Sequence, residues 1–335
     1  MTIIPIFIPH AGCPHNCIFC NQITISGQKS AAFIGAKKQI ASWCHRLRPS
    51  KDNEAAFYGG SFTALNRHLQ EELFSLTDKL LLDGYIGSVR LSTRPDYIDK
   101  EELLLLRQHN VHLVELGVQS LDDEVLTFSG RGHTAKHVVI AMNLLKNAGF
   151  KTGIQLMVGL PGQNRLSVID TAEQTVKLQP DLARIYPVLV LKNTVLANLY
   201  NQGLYTPLTL EEAVDQSSEL YEILTSSGIK VIRIGLQPDT ELCAPGNIIA
   251  GPFHPSMGEL VKSRIHRNKL TPLIASYYKV GHTLLFIKCP HRIQSQVRGL
   301  RNNNMLYWKA IFPQLILKII PDEVSSCPSV VLSPQ

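Results

Sequence analysis

Short apolar runs recur through the first half of the chain, at 3–8, 55–58, 88–92, 112–117, 152–157 and 182–188. Runs of this length, several of them closed by Gly or Pro, predict buried strands. Between them, apolar positions follow helical spacing over 33–47, 67–83, 100–109, 135–147 and 164–178, and again over 209–227. Strands alternating with helices predict an α/β fold with a parallel sheet and the helices outside it. Six such units fall short of the eight that close a barrel. The expected architecture is a partial (β/α)6 barrel with its chemistry at the C-terminal ends of the strands. The Pro- and Gly-containing stretch 236–257 reads as a junction. It divides a core over 1–240 from a small C-terminal α/β domain over 241–335. The chain contains no internal repeat and no low-complexity tract.

The second domain has its own order. Residues 281–288 predict a strand, 292–298 a short helix, 299–302 a tight loop, 303–312 a second helix and 314–321 a strand. This β-α-loop-α-β order is KH-like, and a KH module clamps single-stranded RNA with a GXXG loop between two helices. Here the loop is Gly299-Leu300-Arg301-Asn302, with Asn in the place of the second glycine. Asn tolerates left-handed backbone, and Arg298 and Arg301 are placed to face phosphates. The other reading of the segment is a plain α/β cap over the open barrel.

Composition narrows the picture only slightly. With 44% hydrophobic and 18% charged residues over 335 positions, the chain is globular rather than disordered. A net charge of +6 permits an anionic partner such as RNA; DNA is not expected. The N-terminal run has no basic lead, is interrupted by Pro5 and Pro9, and is too short to span a bilayer. No membrane association is expected, and the cytoplasm is the expected location.

Cysteine usage changes the picture more. There are seven cysteines, an odd number, and Cys13, Cys17 and Cys20 fall within eight residues. That is a poor disulfide framework and suits reduced thiolates on a metal. The spacing is C-x3-C-x2-C directly after the first strand. Three close thiolates hold three irons of a [4Fe–4S] cluster and leave the fourth open. An open iron chelates the amino and carboxylate groups of S-adenosylmethionine (SAM), whose sulfonium C–S bond then breaks on one-electron reduction. Phe19, beside the last ligand, is placed to pack on the adenine. The competing reading is zinc held by the three cysteines with His10 or His15. Cys44, Cys243, Cys289 and Cys327 are scattered and read as ordinary small apolar side chains.

The cysteine pattern resembles that of the radical SAM superfamily. Further motifs are Phe57-Tyr-Gly-Gly-Ser-Phe-Thr63, Leu91-Ser-Thr-Arg-Pro-Asp96, Leu116-Gly-Val-Gln-Ser120, Ser129-Gly-Arg-Gly-His-Thr134 and Arg184-Ile-Tyr-Pro-Val-Leu-Val190. In order and spacing they are similar to the catalytic subunit of Elongator, a tRNA wobble-uridine modifying enzyme, and its shorter bacterial relatives. The resemblance covers roughly residues 1–260. The remaining residues are too few for the acetyltransferase domain of that subunit, so acetyl transfer is not expected.

The resemblance implies SAM contacts. Gly59 and Gly60 would bring backbone carbonyls to the methionine amino group. Ser92, Arg94, Gln119 and Gln155 would lie near the ribose, and Arg131 would pair with the SAM carboxylate. Tyr186 and Lys192, at and beyond the end of the sixth strand, would meet the substrate where hydrogen is transferred. The implied partners are tRNA and a low-potential electron donor such as flavodoxin or ferredoxin. Two other functions share parts of this pattern. One is radical SAM chemistry on a small molecule, as in coproporphyrinogen dehydrogenation, although Asn21-Gln22 stands where that family carries a further cysteine. The other is a non-catalytic, zinc-stabilised RNA-binding protein.

Overall fold

The computed structural model describes residues 2–28, 31–324 and 327–333. β1 (Ile3–Phe7) leads through α1 (Gln22–Ser26) and α2 (Ala32–Cys44) to β2 (Glu54–Tyr58). Next come α3 (Arg67–Leu82), β3 (Ser88–Thr93), α4 (Lys100–Gln108) and β4 (Val111–Gln119). They are followed by α5 (Asp123–Phe128), α6 (Ala135–Asn147), β5 (Lys151–Val158), α7 (Arg165–Leu178) and β6 (Leu182–Pro187). A short strand β7 (Val190–Leu191), then α8 (Val195–Asn201) and α9 (Leu210–Ser226), precede β8 (Lys230–Ile234).

The main sheet has the order β1-β2-β3-β4-β5-β6-β8, with every pairing parallel. It does not close: β1 and β8 are its two edges. The half-barrel thus has seven strands rather than the six expected. The seventh, Lys-Val-Ile-Arg-Ile, is a short edge strand with only partly buried side chains and Lys230 and Arg233 among its five residues. It therefore lacks the apolar run that marks the other six strands.

The core between sheet and helices is continuous. Phe57 of β2, Phe62 in the turn before α3 and Phe74 of α3 form an aromatic cluster with ring centroids 4.7 to 6.2 Å apart, and all three are fully buried. Helix ends follow local chemistry. Thr209 caps α9 in a reciprocal box: its hydroxyl accepts the Glu212 N–H at 3.2 Å, and the Glu212 carboxylate accepts the Thr209 N–H at 2.8 Å.

Past β8, the stretch read as a junction contains β9 (Ile248–Ala250), which pairs antiparallel with β7. α10 (Met257–Lys279) then serves two cores. Met257, Val261 and Ile265 pack with Val214 of α9. Leu270 and Ile274 pack with a separate cluster around Trp308. Pro272 lies where the helix passes into this second core, and its ring removes one N–H from the helical ladder.

The remaining elements are β10 (Leu284–Cys289), α11 (Gln294–Arg298), α12 (Asn303–Ile311), β11 (Ile316–Pro321) and β12 (Ser329–Val331). The β-α-loop-α-β order read from the sequence is present. β10 pairs parallel with β11 and antiparallel with β12.

The loop between α11 and α12 differs from an open phosphate clamp. Arg301 and Asn302 both adopt left-handed backbone, at φ 52° and 61°. Gly299, however, is buried. A Cβ there would meet the Asn304 nitrogen at 2.8 Å and the Ser263 hydroxyl at 2.9 Å. Buried Asn304 donates to the Ser263 carbonyl at 2.9 Å and the Val297 carbonyl at 3.0 Å. The glycine is thus required for packing against α10, and its backbone faces inward.

Trp308 is fully buried, and its indole N–H donates to Thr271 Oγ1 at 2.9 Å. Trp308→Ala should cost about 3–5 kcal/mol in the C-terminal core. Urea denaturation should show a lowered midpoint; an unchanged midpoint would mean that this core contributes little.

Candidate active site

All thirteen residues singled out in the sequence line one cavity of about 1540 Å³ at the C-terminal ends of the strands and along the inner face of the sheet. The cysteine loop forms part of its wall. The loop is sewn to the end of β2 by backbone hydrogen bonds: His10 N–H to Gly59 O at 2.9 Å and Ser61 N–H to Ala11 O at 2.9 Å. It is also tied to the residue after α5, through Ile18 N–H to Ser129 O at 3.2 Å, and to α8, through Leu196 N–H to Ile18 O at 2.8 Å.

Two glycines make that fit possible. A Cβ on Gly60 would lie 2.4 Å from the Ala11 carbonyl oxygen and 2.7 Å from that of Ile8. One on Gly12, whose φ is +72°, would lie 2.2 Å from the Ser61 carbonyl oxygen. Such spacings admit no side chain. Gly60 therefore has a packing reason of its own. Gly59, at φ +87°, has its nearest neighbour, the Gln22 side chain, at 3.4 Å.

The three thiols are half-buried. Burial, with Cys17 beside it, raises the Cys13 pKa; burial pushes Cys20 up to about 12. Arg131 Nη1 donates to Cys17 Sγ at 3.0 Å, and Nη2 donates to the Gly117 carbonyl. The Arg131 Nε–H is buried without a partner. A guanidinium on one thiol suits an anionic cluster. The donor set therefore fits a [4Fe–4S] cluster. Of the two histidines considered for zinc, His10 is engaged elsewhere: its Nε2 accepts the Gln22 N–H at 3.0 Å and so caps the start of α1. His15 packs against Gly132.

The other residues fall as follows. Phe19 packs with Val125, Leu160 and Leu196 in a small apolar cluster while lining the cavity. Ser92 Oγ accepts from Gln155 Nε2 at 3.2 Å. Arg94 is buried and makes a double hydrogen bond to Asp96, at 3.0 and 2.8 Å, so its guanidinium is already committed. Gln119 has φ +71° beside a register shift in β4. Left-handed backbone at a non-glycine strand end stores strain of about 1–3 kcal/mol, a cost that concentrates at functional sites. The Lys192 carbonyl accepts from Asn21 at 2.7 Å, which ties the cysteine loop to the far wall; its side chain is exposed.

Sequence reasoning missed the charged interior beneath these residues. Glu115 of β4 is fully buried. Arg184 of β6 grips it with Nε at 2.5 Å and Nη2 at 3.0 Å. Arg184 Nη2 also donates to the Tyr58 hydroxyl at 3.1 Å, and Nη1 to the Tyr186 hydroxyl at 3.4 Å. Burial raises both tyrosine pKa values, so both phenols stay protonated. Burial opposes the charge on Arg184, but the Glu115 carboxylate bonded to it outweighs that and raises its pKa. A second pair lies alongside, Arg90 on Glu54 at 3.1 Å, with His112 on Glu54 at 3.1 Å. The signal available in the sequence was a charged residue inside an apolar strand, such as Glu115.

This is a partial α/β barrel with a cysteine loop and a deep cavity at the ends of its strands, the site class of a cofactor-dependent enzyme. The chain belongs to the radical SAM superfamily: residues 7–175 match the superfamily model, and residues 180–267 match a radical SAM C-terminal domain. Its cofactors are a [4Fe–4S] cluster and SAM.

A tRNA uridine(34) acetyltransferase of Methanocaldococcus jannaschii is 30% identical over 197 residues, 58% of this chain but 35% of that protein. The heme chaperone HemW of Bacillus subtilis is 26% identical over 64% of this chain and 57% of its own. The archaeal Elp3 of Methanocaldococcus infernus, solved with an N-terminal deletion, shares the fold with a TM-score of 0.63 at 22% identity, over 80% of this chain and 63% of that one. The chain thus spans about a third of the length of the acetyltransferase it matches. Among the described residues, no helix is long and apolar enough to cross a membrane.

Replacing Cys13, Cys17 or Cys20 with Ala should each remove most reconstituted iron and abolish 5′-deoxyadenosine formation, whereas Cys44→Ala and Cys243→Ala should not. Full iron content in Cys17→Ala would contradict the ligand assignment.

A pH dependence follows from His133, which is 3% exposed behind Arg131 and Arg94. Neither ring nitrogen makes a well-formed hydrogen bond, the nearest backbone group being at Val118. Burial, and then Arg131 and Arg94, lower its pKa from 6.5 to about 3. The unfolded chain therefore takes up the proton first as pH falls. The stabilisation is complete above pH 6.5 and is lost progressively towards pH 3, by about 2 kcal/mol at pH 5. Urea midpoints at about pH 5 and 7 should differ accordingly, and His133→Asn should shrink the difference; an equal difference in the variant would exclude His133 as its source.

Proposed function

We propose that this protein reductively cleaves SAM and uses the resulting chemistry to modify a base in tRNA. One observation carries the reading: cysteine loop, SAM-contact candidates and substrate-side residues share a single cavity. Cys13, Cys17 and Cys20 would hold the cluster, which when bound would supply the electron that breaks the sulfonium C–S bond. The protein's own residues position and exclude. Arg131, which lines the cavity and reaches Cys17, takes the SAM carboxylate. Ser92 and Gln155, hydrogen-bonded to each other, face the ribose. Gln119, in its strained backbone, presents its amide from the end of β4.

Tyr186 and Lys192 stand on the substrate side. Tyr186, protonated and hydrogen-bonded to Arg184, is a donor rather than a base. The Lys192 ammonium, exposed at the cavity edge, suits an anionic substrate.

The tRNA reading is supported by the similarity to the M. jannaschii enzyme named for tRNA uridine 34. It is also supported by the basic C-terminal elements. The electron donor is expected to be a small low-potential protein such as flavodoxin or ferredoxin.

Mass spectrometry of tRNA nucleosides from a deletion strain and its parent tests the reading. One modified nucleoside should disappear on deletion and return with the wild-type gene, but not with Cys17→Ala. An unchanged nucleoside profile would contradict a tRNA substrate.

A further inference from the structure

Charge is unevenly distributed along the chain. The whole sequence has 33 Lys and Arg against 27 Asp and Glu. Residues 261–320 alone hold eleven Lys or Arg and not one Asp or Glu, so the rest of the chain is net acidic by five. Three of these cations answer carboxylates outside the segment: Arg264 meets Glu211 and Asp215, Lys269 meets Glu222 at 3.0 Å, and Lys262 meets Glu259 at 3.9 Å. These pairs face α9 or stay within α10. Among the described residues, Lys279, Arg292, Arg298, Arg301 and Lys309 have no carboxylate within ion-pair distance, and all are exposed. Five exposed cations with no carboxylate to answer them are a cost to the fold that an external anion relieves.

The cations are not spread evenly over this domain. Asn304 of α12 is clasped by Ser263 of α10. One turn further along each helix, Arg267 lies over the Tyr307 ring at 4.5 Å from its centroid. Tyr307 is 37% exposed, and Leu300, beside Arg301, is 42% exposed. Gly299 is buried against Ser263 of α10 and Asn304 of α12, and Arg298 and Arg301 on either side of it in the chain are exposed. A guanidinium–aromatic stack flanked by unanswered cations has the composition of a single-stranded RNA platform. Bases stack on rings and guanidinium planes, and phosphates take the arginines.

We propose that the ridge formed by α10, the 299–302 loop and α12 docks single-stranded RNA, with phosphates on Arg298 and Arg301 and a base against the Arg267–Tyr307 pair. This rests on the tRNA reading above and assigns it a surface. The contact is made by an outward ridge, not by the glycine backbone of a GXXG clamp.

The test is a titration of fluorescent bulk tRNA with the reconstituted full-length protein at about 50 and 200 mM salt. Arg298→Glu with Arg301→Glu should weaken binding at least tenfold at low salt and reduce the log–log salt slope by about 1.4, two single-strand phosphate contacts. Tyr307→Ala should weaken binding about tenfold at both salts with no change of slope, and Tyr307→Phe should bind as wild type. Lys79→Glu with Lys136→Glu, the same charge change on the exposed core surface, should leave affinity within twofold. Uncoupled SAM cleavage should be equal in all of them. If the Arg298/Arg301 and Tyr307→Ala variants bind like the control, the ridge is not the surface, although the tRNA reading stands. If wild type cleaves SAM but binds no tRNA at either salt, or binds only anionic lipid vesicles, both the ridge and the tRNA reading fall.

Discussion

The backbone contact between the cysteine loop and the end of β2 is the constraint on which the site depends. Gly12 and Gly60 lie with their α-carbons against carbonyl oxygens of the opposite segment, at spacings no side chain allows. Three hydrogen bonds close the contact, from Ile8 to Tyr58, His10 to Gly59 and Ser61 to Ala11. The loop is thereby fixed against the end of β2, which places the three thiols in the cavity wall. Everything else in the cavity takes its place relative to that loop: Arg131 reaches Cys17 from beyond α5, and Asn21 reaches the Lys192 carbonyl across the cavity.

Beneath the loop, the half-barrel keeps charge where a closed barrel would keep aliphatic side chains. Glu115 and Arg184, gripping each other between β4 and β6, fill the sheet's inner face together with Tyr58 and Tyr186. A buried pair of this kind is costly to assemble and costly to break, because removing one partner strands the other's charge. Burial keeps both phenols protonated, and the one guanidinium fixes their hydroxyls. The cavity thus has a polar, rigid floor below its cofactor end.

Much of this was legible in the sequence. The other six strands of the sheet announce themselves because each reads as an apolar run. β8 escaped because it is an edge strand whose five residues include Lys230 and Arg233 and none that is buried. The cysteine loop was legible because three thiols within eight residues are far denser than packing alone requires and so point to a metal. The glycine pair was visible, but its reason was not: sequence suggested an approach to a ligand, whereas Gly60 is needed for an approach to Ala11. Arg94 looked available and is tied to Asp96 two residues on. Gln119 gave no hint of its backbone strain, which arises from a bulge against β5. In the C-terminal domain the element order could be read from periodicity. The inward turn of Gly299 could not, since it depends on Ser263 and Asn304, distant in sequence from each other.

The docked loop offers three thiolates, so a four-iron cluster bound there would keep one iron for SAM. Electron–nuclear double resonance on the reduced cluster, with SAM labelled at its amino nitrogen, tests this most directly. The account predicts a hyperfine coupling from the labelled nitrogen that appears on adding SAM and is absent without it. A reduced cluster whose spectrum is unchanged by saturating SAM, with no nitrogen coupling, would contradict it.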